Sequence, residues 1–110
     1  MGQFVNGDVV VLSFPFSDLS QTKRRPVLIL AALQGNELIL CQITSQARQD
    51  RHSVRLDAPD FVTGGLGQSS RIRPNRLFTA DSSIVAYRAG QVSAIKLREA
   101  RDTLIRILSE

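Results

Sequence analysis

Three consecutive cations, Lys23-Arg24-Arg25, stand directly before Pro26 and an apolar run, Val27-Leu28-Ile29-Leu30. Further on, Leu38-Ile39-Leu40-Cys41-Gln42-Ile43 runs into the hydroxyl pair Thr44-Ser45. If both apolar runs are strands and they pair, cations and hydroxyls meet at one end of a sheet. Such a cluster is suited to a phosphate: a guanidinium fork binds it bidentately, and hydroxyls donate to its oxygens. Arginines facing a phosphodiester stabilise the extra negative charge of a pentacoordinate phosphorus. RNA carries its own nucleophile, the 2′-hydroxyl, so a protein acting on it must chiefly position and neutralise. Arginine is a poor proton acceptor, and proton transfer is the open step of this chemistry.

Other chemistries find less support. The one histidine, His52, stands in a polar stretch and reads as a solvated loop residue rather than a general base. The one cysteine, Cys41, lies inside an apolar strand and reads as a small core residue rather than a nucleophile. It has no partner for an internal disulfide, which fits a reducing cytoplasm. No His/Cys cluster has zinc-type spacing, and no metal or other cofactor is called for. The glycine-rich Thr63-Gly64-Gly65-Leu66-Gly67 is not followed by Gly-Lys-Ser/Thr, so it reads as a turn needing positive φ rather than a phosphate loop.

The elements that must hold the cations and hydroxyls are short strands. Gly7-Asp8 reads as a turn and Val9 to Leu12 as a buried strand ended by Phe14-Pro15-Phe16. Residues 17–25 then form a loop of about nine residues, longer than the usual hairpin connection of roughly 2–5. Strand two is expected over about Pro26 to Ala32, a turn at Gln34-Gly35-Asn36, and strand three over about Glu37 to Thr44. Residues 46–52 read as an exposed loop, Ser53 to Leu56 as a short strand and residues 57–60 as a turn. In Ser69-Ser70-Arg71-Ile72-Arg73-Pro74, alternation puts Ser69, Arg71 and Arg73 on one face and Ile72 on the other. Two arginines side by side repel unless an anion or carboxylate lies between them. Residues 76–79 and 84–87 are two more short strands, and Gly90 marks a bend.

From Ser93, a suitable N-cap, the period becomes helical. Leu97, Ala100, Leu104 and Leu108 form one apolar stripe, and Lys96, Arg98, Glu99, Arg101, Asp102 and Arg106 cover the other face. The expectation is a mostly β fold: a small SH3-like or OB-like barrel of five to seven short strands closed by one C-terminal amphipathic helix, in a single domain spanning residues 1–110.

Composition agrees with an anionic partner without proving one. The net charge is +4, and twelve of the 14 cations are arginine. Arginine-rich usage can equally reflect genomic base composition. No run of about 18 apolar residues exists, which argues against a membrane-spanning helix, and the N-terminus lacks the charged and apolar regions of a signal peptide.

Taken in order, Gly7-Asp8-Val9-Val10-Val11, Phe14-Pro15-Phe16-Ser17-Asp18-Leu19-Ser20, Lys23-Arg24-Arg25-Pro26-Val27-Leu28-Ile29-Leu30, Leu40-Cys41-Gln42-Ile43-Thr44-Ser45 and Arg71-Ile72-Arg73-Pro74-Asn75-Arg76-Leu77-Phe78-Thr79 resemble the MazF/PemK toxins over nearly the whole chain. The resemblance implies an SH3-like barrel with a C-terminal helix, usually a homodimer. It implies a metal-independent, cytoplasmic endoribonuclease that cuts single-stranded RNA through the 2′-hydroxyl, leaving a 2′,3′-cyclic phosphate and a 5′-hydroxyl. It also implies inhibition by a cognate antitoxin. By position, the catalytic arginine of the Arg-Pro pair falls on Arg25 and its hydroxyl partner on Thr44. Ser45 stands beside Thr44, and Arg73 matches an arginine that one branch of the family uses on the scissile phosphate. Lys23 and Arg24 read as loop charges that draw RNA in, and Arg71, Gln42 and Ser17 as further substrate-binding residues. One branch of the family has an Asp as the proposed base where this chain has Asn75, and an amide takes no proton at neutral pH. Two other readings of a different class stay open at this point. One is a non-catalytic poison of DNA gyrase, an activity found on this fold in the related CcdB toxins; the other is a plain RNA-binding barrel.

Overall fold

A computed structural model describes residues 4–15, 22–46 and 51–110, with backbone only for 14–15 and 22–23. Seven strands among them form one antiparallel sheet: β1 (Asp8–Pro15), β2 (Thr22–Ala32), β3 (Glu37–Thr44), β4 (Val54–Leu56), β5 (Phe61–Gly64), β6 (Ser70–Asp81) and β7 (Val85–Val92). Their order is β4-β6-β3-β2-β1-β7-β5. The sheet curls into a half-barrel, and α1 (Ala94–Ser109) packs against β6, β4 and β2. The expected mostly β architecture with a C-terminal helix is present.

Period-two alternation sorts the apolar residues onto two faces. Val9, Leu28, Leu30, Cys41, Ile43 and Ile72 share one buried cluster with Val54 and Leu56 of β4 and Ala100 of α1. Val10, Leu12, Val27, Ile29, Leu38 and Leu40 form a second cluster, covered by Phe4, Phe78 and Val85. Both faces of the central strands are therefore apolar. That is why these strands read as continuous rather than alternating runs.

Several elements differ from the sequence reading. The β1–β2 ladder continues past Pro26 through Leu12–Arg25, Ser13–Arg24 and Phe14–Lys23, so Lys23, Arg24 and Arg25 lie on a strand rather than in a nine-residue loop. Residues 57–60, read as a turn, hold one turn of 3-10 helix (Ala58–Asp60), and β5 follows at once where only a glycine-rich turn was expected. Pro74 does not separate two strands, because β6 runs unbroken across it. The β3–β6 register jumps from Cys41–Leu77 to Gln42–Arg73, and the bulge absorbs Pro74, Asn75 and Arg76. Gly90 is no bend but a paired position of β7, opposite Gly64.

The helix starts as expected, with the Ser93 hydroxyl accepting from the Lys96 backbone N–H at 3.1 Å. Its polar face is less solvated than its pattern suggests. Lys96 is buried, and its Nζ donates to the Arg55 carbonyl and to Glu99, each at 2.8 Å. Arg101 donates to the Leu30 carbonyl at 2.8 and 3.2 Å. That carbonyl sits at the β2 bulge between Ile29 and Ala31, outside the regular β2–β3 ladder. At the C-terminal end the expected apolar stripe stops short, since Leu108 is 71% exposed. Two long polar side chains thus fix the helix to the sheet beside its shortened apolar stripe.

Candidate active-site cleft

The two apolar runs do pair, and their register decides what meets at the sheet end. Val27 faces Gln42, Leu28 faces Cys41 and Ile29 faces Leu40. Continuing that register past the last paired position sets Pro26 opposite Ile43, Arg25 opposite Thr44 and Arg24 opposite Ser45. The ladder stops one residue before Pro26, whose nitrogen has no hydrogen to donate. The strands part there into a cleft of about 530 Å³, lined among the described residues by Arg24, Arg25, Thr44 and Ser45 together with Val11, Pro26, Ile43, Gln46, Leu66, Gln68, Ser70 and Tyr87. Alternation pairs Arg25 with Thr44 on one face of the sheet and Arg24 with Ser45 on the other, and the cleft at the strand ends reaches both.

Its electrostatics are one-sided. Two arginines and no carboxylate or imidazole stand among the described lining residues, so the cleft favours an anion. The Thr44 hydroxyl oxygen accepts the Gln46 backbone N–H at 3.1 Å. That bond holds the oxygen at the end of β3 and leaves the hydroxyl hydrogen to be donated outward. Ser70, buried beneath the cleft, donates to the Gln68 carbonyl at 3.2 Å.

The remaining candidates are distributed around this cleft rather than inside it. Arg71 pairs with Thr44 across β3–β6 and Arg73 pairs with Gln42, so both arginines share a sheet face with Thr44, yet neither lines the cleft. Arg71 donates to the Ser53 hydroxyl at 3.4 Å. Gln42 and Asn75 line a second, shallower depression of about 370 Å³ with Arg76, Leu77 and Phe78. Ser17 lies outside the described residues, as does the side chain of Lys23. His52 sits in a turn and does not line the cleft. Cys41 is wholly buried, and burial pushes its thiol up to about 12, so it is no nucleophile at neutral pH. Among the described residues no group of three or more His, Cys, Asp or Glu is arranged to hold a metal ion.

Sequence reasoning missed Tyr87, Gln68 and Leu66 as cleft residues. Tyr87 lies two strands from Arg25 in the sheet, and only the β1–β7 pairing of Val11 with Tyr87 carries it to the same mouth. The signal in the sequence was slight: a single tyrosine in a short β-rich stretch.

The sequence profile described as PemK-like, MazF-like toxin of type II toxin-antitoxin system matches residues 6–108. The chain belongs to this toxin family. Solved structures agree on the fold. MazF (Form-I) from Deinococcus radiodurans is 27% identical, superposes with a TM-score of 0.74, and is matched over 97% of each chain. The MazE-MazF structure (Form-II) from the same organism is 24% identical, with a TM-score of 0.76 and 96% of each chain covered. An endoribonuclease in complex with its cognate antitoxin, from Mycobacterial species, is 13% identical, with a TM-score of 0.77, covering 97% of this chain and 96% of that one. No curated protein sequence matches the chain significantly.

Proposed function

We propose that this toxin is a metal-independent endoribonuclease that cuts single-stranded RNA, with Arg25 and Thr44 acting on the scissile phosphate. The observation that carries the reading is the meeting of Arg24, Arg25, Thr44 and Ser45 in one anion-favouring cleft at the β2–β3 strand ends. In this mechanism the RNA 2′-oxygen attacks phosphorus while the 5′-oxygen departs, giving a 2′,3′-cyclic phosphate and a 5′-hydroxyl. The Arg25 guanidinium neutralises charge that develops on the phosphoryl oxygens, and the Thr44 hydroxyl donates to one of them. Ser45 and Arg24 hold the flanking backbone. Arg71 and Arg73, on the Thr44 face of the sheet, bind the RNA backbone beyond it, and Gln42, Lys23 and Ser17 are assigned to substrate binding from the sequence. No carboxylate lines the described cleft, so water takes the 2′-hydroxyl proton and water returns a proton to the departing 5′-oxygen, while rate enhancement comes from positioning and charge stabilisation.

The whole chain acts as one toxin domain in the cytoplasm; no helix among the described residues is long and apolar enough to cross a membrane. Solved relatives include a MazE-MazF structure and an endoribonuclease bound to its cognate antitoxin. By that likeness we assign this chain an antitoxin partner, and by its family a homodimeric state, with translation and growth arrested when the antitoxin is lost.

Purified protein incubated with single-stranded RNA in EDTA tests the reading. Fragments ending in 2′,3′-cyclic phosphate are expected, and an oligonucleotide with a 2′-deoxy sugar at the cut site should resist. One specific observation, Asn75 in a separate depression, favours a non-catalytic RNA-binding barrel as the second reading. RNA bound but recovered uncut would establish it in place of the first.

A further inference from the structure

The cleft is larger and less polar than a phosphodiester alone requires. Its volume of about 530 Å³ falls in the range of pockets that enclose a whole small ligand. Arg24, Arg25, Thr44 and Ser45 supply its charged and hydroxyl lining. The floor is different in kind. Tyr87 pairs with Val11 across β7–β1, Val11 pairs with Pro26 across β1–β2, and the β2–β3 register carries Pro26 on to Ile43. These four residues make an apolar row along one face of the sheet, and all four line the cleft. Cross-strand partners point to the same face, so the Tyr87 ring shares the face of Val11 and Pro26. Tyr87 is 52% exposed, a large aromatic surface left to solvent in the cleft that Arg24 and Arg25 also line. Gln68, exposed, lines the same cleft; its backbone carbonyl accepts from the buried Ser70 hydroxyl, and its side-chain amide is both donor and acceptor.

We propose that Tyr87 is a base-stacking platform: one unpaired nucleobase of the RNA lies on its ring beside Val11 and Pro26, its phosphate reaches the arginines of the same cleft, and Gln68 reads the base edge. This rests on the reading of the site as an RNA site and adds its specificity-determining residues. Unpaired bases are recognised by stacking on aromatic side chains combined with hydrogen bonds to their edges, and stacking tolerates every base because each has a π-face. The arrangement supplies both parts, with the cation alongside. A phosphate-only site would need neither an exposed aromatic ring nor a side-chain amide in the same cleft.

The chain itself provides the probe. It has one tyrosine and no tryptophan, so intrinsic tyrosine emission reports on Tyr87 alone. Short 2′-O-methyl oligoribonucleotides cannot be cut and serve as the titrant, with affinity read independently from the anisotropy of an end label. Binding should quench the tyrosine emission, and an abasic oligomer of the same length should bind without quenching. Tyr87→Ala should weaken binding by about 5- to 150-fold, and Tyr87→Phe, which keeps the ring, should recover most of the loss. Gln68→Ala should level the affinities for the four homopolymeric probes. Tyr87→Ala should leave the circular dichroism spectrum unchanged, since the ring is half exposed. Binding with unaltered tyrosine emission would overturn the proposal. So would a Tyr87→Phe variant as weak as Tyr87→Ala, because the hydroxyl and not the ring would then matter. An unchanged base preference in Gln68→Ala would remove Gln68 from it. Failure of the broader reading looks different: the wild type would quench with the probes yet leave natural RNA uncut, and the stacking site would stand on a non-catalytic binder.

Discussion

Replacing Asp8 by Ala tests how the strands that frame the cleft are held. Asp8 opens β1 and is only 1% exposed. One carboxylate oxygen accepts from the Val5 backbone N–H at 2.9 Å and from Arg88 Nε at 3.1 Å, and the other accepts from Gln91 Nε2 at 3.2 Å. A single buried carboxylate thus joins the N-terminal segment, β1 and β7, next to Tyr87. Hydrogen bonds to a charged group contribute about 1.5–3 kcal/mol each and do not add, while breaking a fully buried ion pair costs about 3–5 kcal/mol. The Arg88 side chain is 45% exposed, so once released it recovers much of its hydration. The loss for Asp8→Ala should therefore fall below the buried-pair figure, at about 2–3 kcal/mol. For a domain this small that lowers the melting temperature by roughly 10–20 °C. Urea unfolding followed by circular dichroism measures it, with the midpoint shifted and the slope m unchanged. Asp8→Asn, which keeps the shape and loses the charge, should fall between. A loss below about 0.5 kcal/mol, the range of an ordinary surface substitution, would refute this account of Asp8.

Two further predictions concern the backbone and the core. A Cβ on Gly64 would collide with the Ala89 carbonyl oxygen and stand 2.7 Å from the Gly90 Cα, at a φ of +65°. Gly64→Ala should cost more than about 2 kcal/mol in urea unfolding, whereas Gly35→Ala, at φ +73° with open space around it, should lose only about 1–2 kcal/mol of left-handed strain. For Cys41, burial raises the thiol from 9.0 to about 12, so the fold favours its neutral form. Its contribution is intact below pH 9 and is lost as pH rises towards 12. Iodoacetamide at pH 8 should therefore label Cys41 only after urea is added, and labelling of the native protein at the rate of a free thiol would contradict this.

How much of this was legible beforehand follows from what local pattern encodes. The β2 and β3 runs, the Ser93 cap and the helix are local features and were readable from residue type and period. That Arg25 and Thr44 line one cleft was also readable, because a hairpin between adjacent runs leaves little freedom of register. What escaped depends on contacts distant in sequence. Pro74 looks like a strand break until a bulge opposite Cys41 and Gln42 accommodates it. Lys96 and Arg101 read as solvated until the Arg55 and Leu30 carbonyls come within reach. Tyr87 joins the cleft only through β1, a strand some 70 residues earlier in the chain. Arg71 and Arg73, both on one face of β6 as expected, do not line the cleft, since they alternate away from Ser70, which does.

The most direct test of the central claim is cleavage of single-stranded RNA in EDTA by Arg25→Ala, compared with wild type and with Thr44→Ala. Removing one preorganised charge or donor from a transition-state oxyanion lowers kcat by about 10²–10³-fold. The account predicts at least that loss for Arg25→Ala, a smaller loss for Thr44→Ala, and unchanged circular dichroism for both. Equal cleavage by wild type and Arg25→Ala would contradict it.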